Sequence, residues 1–268
     1  FSVLHQSLTE LAQQAPQSTS PAVARGVLAE AQDLLRNALD HRAPENELTT
    51  WFSSVVADTL TSPAGRALDP TLVPTGAVAR GDATPATAVQ WLSDDGSEVA
   101  DLVISVGLDV GEIHPVASAP DALRIDAALD TPDAPSPSLL ADALTHRPPA
   151  LQLHQGLPDR ATPVDITAHL LTPAVDVARW ADPRQARTLD RLTGGVTNGS
   201  LTENEAFALT QAWETGIALQ LRRWRDGVPG HEILVEDLPA LDRSAYGAAA
   251  RLVGGALRSL AARHGLSL

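Results

Sequence analysis

The chain has 268 residues, 44% of them apolar, with 19 basic against 33 acidic side chains and a formal net charge of −14. That length can bury roughly three quarters of its unfolded surface, which excludes a disordered tail, a mini-protein and a fibrous repeat. Every Lys-or-Arg position is Arg, and Lys, Met and Cys are absent, so disulfides, thiolate metal sites, thiol nucleophiles, Walker-type lysines and Schiff bases are excluded with them, while the acidic excess argues against broad contact with nucleic acid or anionic membrane.

The first zone, residues 1–61, is rich in Ala, Leu, Gln and Glu, and its apolar residues recur at helical spacing, as in Leu28, Ala31, Leu34, Leu35 and Leu39. It reads as a helix pair or triplet. Turns are expected at Ala15 to Pro21 and at His41 to Glu45, with Trp51 and Phe52 anchoring the last helix. The second zone, 62–162, changes character, and the stretch from Ser62 to Pro163 holds thirteen of the twenty prolines. Short runs at Leu72 to Thr75, Val89 to Leu92, Pro115 to Ser118 and Leu123 to Ala127 have strand length, while Glu98 to Leu108 and Ser138 to Leu144 have helical length. The third zone, 163–268, is helical again, over Val164 to Trp180, Asp182 to Leu192, Thr202 to Arg225 and Leu238 to His264. Thr202 and Glu205 form a capping-box pattern, followed by Ala206, Leu209, Trp213, Ile217 and Leu221 on one face. The expected class is α+β: N-terminal helices, a small mixed sheet domain and a C-terminal helical bundle. No run of eighteen apolar residues occurs, and a soluble, cytoplasmic protein is expected.

The most informative stretch is Gly76-Ala77-Val78-Ala79-Arg80-Gly81-Asp82, followed by Thr87-Ala88-Val89-Gln90. It resembles the nucleotidyltransferase signature G-S-x-x-R-G-[ED] followed by [ST]-D-x-D, in the variant of PII-uridylyltransferase-like proteins. In that signature the glycine turn meets the triphosphate, and two carboxylates two apart on a strand share one face and hold metal ions. Gly76, Arg80, Gly81, Asp82 and Thr87 match. Ala77 replaces the serine, and Ala88 and Gln90 stand at both metal positions. Alanine cannot ligate, and a neutral amide replaces a carboxylate poorly on a hard cation. A displaced register would make Asp94 and Asp95 the ligands, although they sit in what reads as an Asp-Asp-Gly turn.

The resemblance continues through Pro115 to Pro120, Arg147-Pro148-Pro149, Val164-Asp165-Ile166-Thr167, Leu171 to Ala181, Thr188 to Leu192 and Leu238 to Arg243. These are similar to segments of a nucleotidyltransferase subfamily often fused to CBS or cyclic-nucleotide-binding domains. Thr167 stands where that subfamily carries a lysine, and Pro120 to Asp126 is shorter than its usual helix. The resemblance implies a nucleotide site at Gly76, Ala77, Arg80, Gly81 and Asp82, a third catalytic carboxylate on a strand at Asp126, and Asp165 and Arg179 from the C-terminal domain. Arg80 has two readings, a phosphate contact or a structural pair with Asp82 or an interdomain carboxylate. Asp165 and Arg179 either face a cleft or pair with each other.

The eight histidines show no metal-binding spacing, and His231-Glu232 reads as a turn. The run Arg222, Arg223, Arg225 fits a helix C-terminus or the rim of an anion site. The leading expectation is a degenerate nucleotidyltransferase, a signalling pseudoenzyme that senses nucleotide or binds a protein, with no metal. The alternatives are an active protein uridylyl- or adenylyltransferase using a nucleoside triphosphate and Mg²⁺, and a purely structural scaffold.

Overall fold

The computed structural model describes residues 5–130, 136–149, 153–154, 157–228 and 232–267. The chain divides into two compact units, Phe1–Asp130 and Thr131–Leu268.

The first unit opens with three helices, α1 (Gln6–Gln14), α2 (Pro21–Asp40) and α3 (Glu45–Leu60), with turns where the two proline-bearing segments predict them. Ser20 caps α2 through its hydroxyl, and Pro21 occupies the first helical position, where a missing N–H costs nothing. Leu8, Leu28, Leu35, Leu48, Phe52 and Val55 are buried between them. The Trp51 indole N–H donates to the Leu8 carbonyl at 2.8 Å, tying α3 to α1. After α4 (Pro63–Leu68), strand β1 (Val73–Thr75) runs antiparallel to β2 (Gln90–Leu92) in the register Val73 to Leu92 and Thr75 to Gln90. Between them lies the five-residue helix α5 (Gly76–Arg80), and α6 (Ser97–Ile104) follows β2. Residues Val110 and His114 bridge Val89 and Leu92 in parallel fashion, a third line of backbone beside β2.

Two strand-length runs are not strands. Val116–Ser118 is a 3₁₀ turn, and Asp121–Asp126 is a helix, α7. A short apolar run has no periodicity long enough to separate the two states. Here Pro120 at the cap, Asp121 in the first turn and the helix formers Ala122, Leu123 and Arg124 decide it. Asp126 is therefore the last residue of a helix and lies on no strand.

The second unit contains α8 (Pro137–Thr145), a short hairpin of β3 (Leu153–His154) and β4 (Leu157–Pro158), and β5 (Pro163–Asp165) paired antiparallel with β6 (Glu232–Leu234). A π-turn at Thr167–Leu171 runs straight into α9 (Thr172–Ala181), followed by α10 (Thr188–Thr197), α11 (Glu203–Arg225) and α12 (Ala240–His264). Helix was expected from Val164, but the first three residues after Thr162 form β5, where β-branched Val164 is buried opposite Ile233. Helix was also expected from Asp182, but α10 begins only at Thr188. Pro183 holds the preceding Asp182 extended, at φ −148° and ψ 87°. The capping box of α11 is present in full: the Glu205 amide donates to the Thr202 hydroxyl at 3.2 Å and the Thr202 amide to the Glu205 carboxylate at 2.8 Å. Leu209, Trp213, Ile217 and Leu221 are buried as their spacing predicts, against the Ala- and Gly-rich inner face of α12.

Candidate functional site

The segment Gly76 to Gln90 closes on itself through β1, α5 and β2. Gly76 starts α5 with φ +60°, a conformation that L side chains rarely adopt. Because Thr75 pairs with Gln90 across the two strands, the Gln90 side chain lies directly over this turn. A Cβ on Gly76 would sit 2.3 Å from Gln90 Oε1, and a Cβ on Gly111 would sit 2.5 Å from Gln90 Cγ. The amide thus fills the space between two bare glycine backbones. Gly81 caps α5 at φ +81°, and the Asp82 amide donates back to the Ala77 carbonyl at 2.8 Å.

Arg80 faces two carboxylates. Its Nε donates to Asp82 Oδ2 at 2.7 Å and its Nη1 to Asp126 Oδ2 at 2.5 Å. Asp82 and Asp126 are 6% and 3% exposed. Burial alone would lower the arginine's pKa, but Asp126 and then Asp82 more than offset this, and the guanidinium is held above its ordinary value. The triad spans 46 residues of chain and ties α5 to the end of α7. The Thr75 hydroxyl donates to the Leu123 carbonyl at 2.5 Å and reinforces the same junction.

Of the residues expected to bind nucleotide, Gly76, Ala77, Arg80, Gly81 and Asp82 are together on α5 and its cap, and Asp126 joins them. Asp126 contacts Arg80, so the pair read between Arg80 and Asp82 is present, and the second carboxylate on Arg80 comes from the same unit and not from across a domain boundary. Asp94 is exposed, and Asp95 accepts from the Ser97 amide and hydroxyl at the entry to α6, the role of a turn residue. The residues do not fit a divalent-metal pair. Ala88 offers no donor, Gln90 is packed on glycine, and the Arg80 cation already lies between Asp82 and Asp126. Among the described residues, no group of three or more His, Asp or Glu could hold a metal ion.

In the second unit, Asp165 and Arg179 do not pair with each other. Asp165 Oδ1 accepts from the Ala168 amide at 2.8 Å, turning the chain from β5 into the π-turn. Buried Arg179 donates to Asp176 Oδ1 at 2.6 Å, while Asp176 Oδ2 meets His146 Nδ1 at 2.6 Å. The π-turn carries a cluster that nothing in the sequence spacing announces. His169 Nδ1 meets the Tyr246 hydroxyl at 2.6 Å and accepts from the Asp165 amide at 3.2 Å, and Gln220 donates to Thr167 Oγ1 at 2.7 Å. With an amide donating to it, Nδ1 is the unprotonated nitrogen. Burial lowers the pKa of His169 against a smaller opposing effect of Asp165, and burial followed by Asp165 raises that of Tyr246. Only the chain's single tyrosine offered a sequence signal, and it lies 77 residues from its partner. Arg222 at the end of α11 pairs with Asp242 at 2.9 Å, and Arg225 with Asp226 at 2.8 Å. His231 lies outside the described residues.

The two units differ sharply in charge. Phe1–Asp130 holds six arginines against eighteen Asp and Glu, a net −12, and Thr131–Leu268 holds thirteen against fifteen, a net −2. No helix among the described residues is long and apolar enough to cross a membrane.

Residues 137–264, just under half of the chain, match the family described as "Putative nucleotidyltransferase substrate binding domain". The match lies within the second unit and leaves Gly76 to Gln90 outside it. No curated protein and no solved structure matches the chain.

Proposed function

We propose that this protein is a nucleotidyltransferase-type module that has given up metal-dependent transfer and works by binding, as a nucleotide sensor or a protein-interaction element in signalling. The observation that carries the reading is Gln90, whose side chain occupies the space over the Gly76 turn where the resembled signature requires a metal-binding carboxylate. Three further features support it. Ala88 removes the other carboxylate. Arg80, the cation of the motif, is engaged by Asp82 and Asp126 and is not presented outward. The surrounding unit has a net charge of −12, which repels a triphosphate. A nucleotide that does bind must rely on backbone amides and apolar contact, and its affinity should not depend on divalent ions.

Titration calorimetry of the full chain with ATP and with UTP, each with and without Mg²⁺ or Mn²⁺, tests this. The expected result is weak binding or none, equal in the presence and absence of metal. Tight, metal-dependent binding would overturn the reading and restore the active transferase; complete absence of binding leaves the protein-interaction role alone.

A further inference from the structure

We propose that the outward face of α12 is a docking surface for a second copy of this chain, which presents to it the acidic face of its first unit. The face is drawn by the helix itself. Leu241, Ser244, Ala248, Arg251, Arg258 and Ala262 follow one another at spacings of three, four or seven, and all are exposed. Arg251 and Arg258 make no ion pair or side-chain hydrogen bond among the described residues. That is notable in a chain where carboxylates outnumber arginines 33 to 19 and where Arg80, Arg124, Arg179, Arg222 and Arg263 all have carboxylate partners. Seven residues of helix put the Cα atoms of the two arginines about 10 Å apart along the axis. The residues around them are small, so an approaching element meets charge and backbone with little to displace. Leu241, 85% exposed, adds an apolar end to the track.

Charge complementarity identifies the occupant. The first unit carries the acidic excess, and its densest unpaired run is Asp94, Asp95, Glu98 and Asp101, all exposed and none ion-paired among the described residues. Glu98 and Asp101 lie on α6, with Asp94 and Asp95 in the loop that leads into it, and on that helix Ile104 is 57% exposed. One copy therefore offers an acidic helix with an apolar end, and the other a basic helix with an apolar end. Such a contact is heterologous, using different patches on the two copies, so it builds rings or chains of copies. It gains from long-range attraction that salt screens.

The test is sedimentation velocity on the intact chain over a concentration series at about 0.05 M and about 0.5 M NaCl. Self-association that rises with concentration at low salt and collapses at high salt is expected. R251E/R258E should weaken it by about tenfold or more, as should E98R/D101R, and an equimolar mixture of the two variants should associate again because opposite charges once more face each other. All four positions are exposed, and circular dichroism melts of the variants should match the parent. A monomeric parent at every concentration, association indifferent to R251E/R258E, or a mixture that fails to recover would each overturn the proposal.

Discussion

The two units handle charge in opposite ways. In the first, carboxylates outnumber arginines three to one, yet the buried centre of the motif is a guanidinium flanked by two of those carboxylates. In the second, the charges nearly balance and the buried carboxylate Glu205 is the central group, receiving Ser259, Arg263 and the Thr202 amide. A bulk excess of one sign on a surface therefore says little about the sign at a buried site. The first unit holds its motif loop with the buried cation Arg80, and the second ties α11 to α12 through the buried anion Glu205 while also burying the cations Arg179 and Arg191.

This contrast can be broken from either side. Arg80→Ala should have the largest effect, because it takes the cation away from two buried carboxylates. A loss of about 3–5 kcal/mol is expected in denaturant unfolding, confined to the first unit, and a loss below about 1 kcal/mol would mean the triad is solvated and dispensable. Gly76→Ala comes next, at about 1–3 kcal/mol, since it combines an unfavourable positive φ with a contact on Gln90. Adding Gln90→Ala should return the steric part and leave the backbone part. In the second unit, Thr202→Ala removes one half of the capping box and should cost about 1 kcal/mol.

Two pH effects are smaller and differ in window. Burial pushes the Glu205 carboxyl up, but hydrogen bonds from Arg263, Ser259 and Thr202 more than offset it, and its pKa lies below the ordinary 4.5. The stability it contributes is complete above that value and is lost as pH falls through the folded-state pKa; Arg263→Ala should flatten this acid limb of a thermal-melt series. His169 is held below its ordinary 6.5 chiefly by burial. The unfolded chain then binds the extra proton first, so stability declines as pH drops below about 6.5, and His169→Gln should remove that shallow slope. Melts of the two variants that superimpose on the parent across pH 3 to 7 would show that neither group is linked to folding.

Long-period features were legible in the sequence. The N-terminal helices, the face of α11 and its capping box all rest on spacings repeated over several turns, and each is where the pattern places it. The strands at Leu72–Thr75 and Val89–Leu92 were legible too, because β-branched or aromatic residues sit between Pro and Gly signals, although their pairing was not. Asp126 was misassigned to a strand because six residues carry no period, and a proline cap decided the matter. At the motif, the sequence showed where Ala77, Ala88 and Gln90 differ from the resembled signature but not what they touch. That Gln90 covers Gly111 as well as Gly76, that Arg80 reaches Asp126, and that His169 meets Tyr246 depend on contacts 14 to 77 residues apart.

The two glycines under Gln90 also bear on whether the proposed loss of a metal pair could be turned back. A carboxylate restored at position 90 would be one methylene shorter than the glutamine and would leave the backbone at Gly76 and Gly111 uncovered, while Arg80 would continue to claim the nearest carboxylates. Two substitutions, at Ala88 and Gln90, rewrite the letters of the signature without rebuilding its floor. Any laboratory route to a working metal pair has to refit the packing around two glycines before new charges at 88 and 90 have anywhere to act, so the simplest revertant is expected to remain inert.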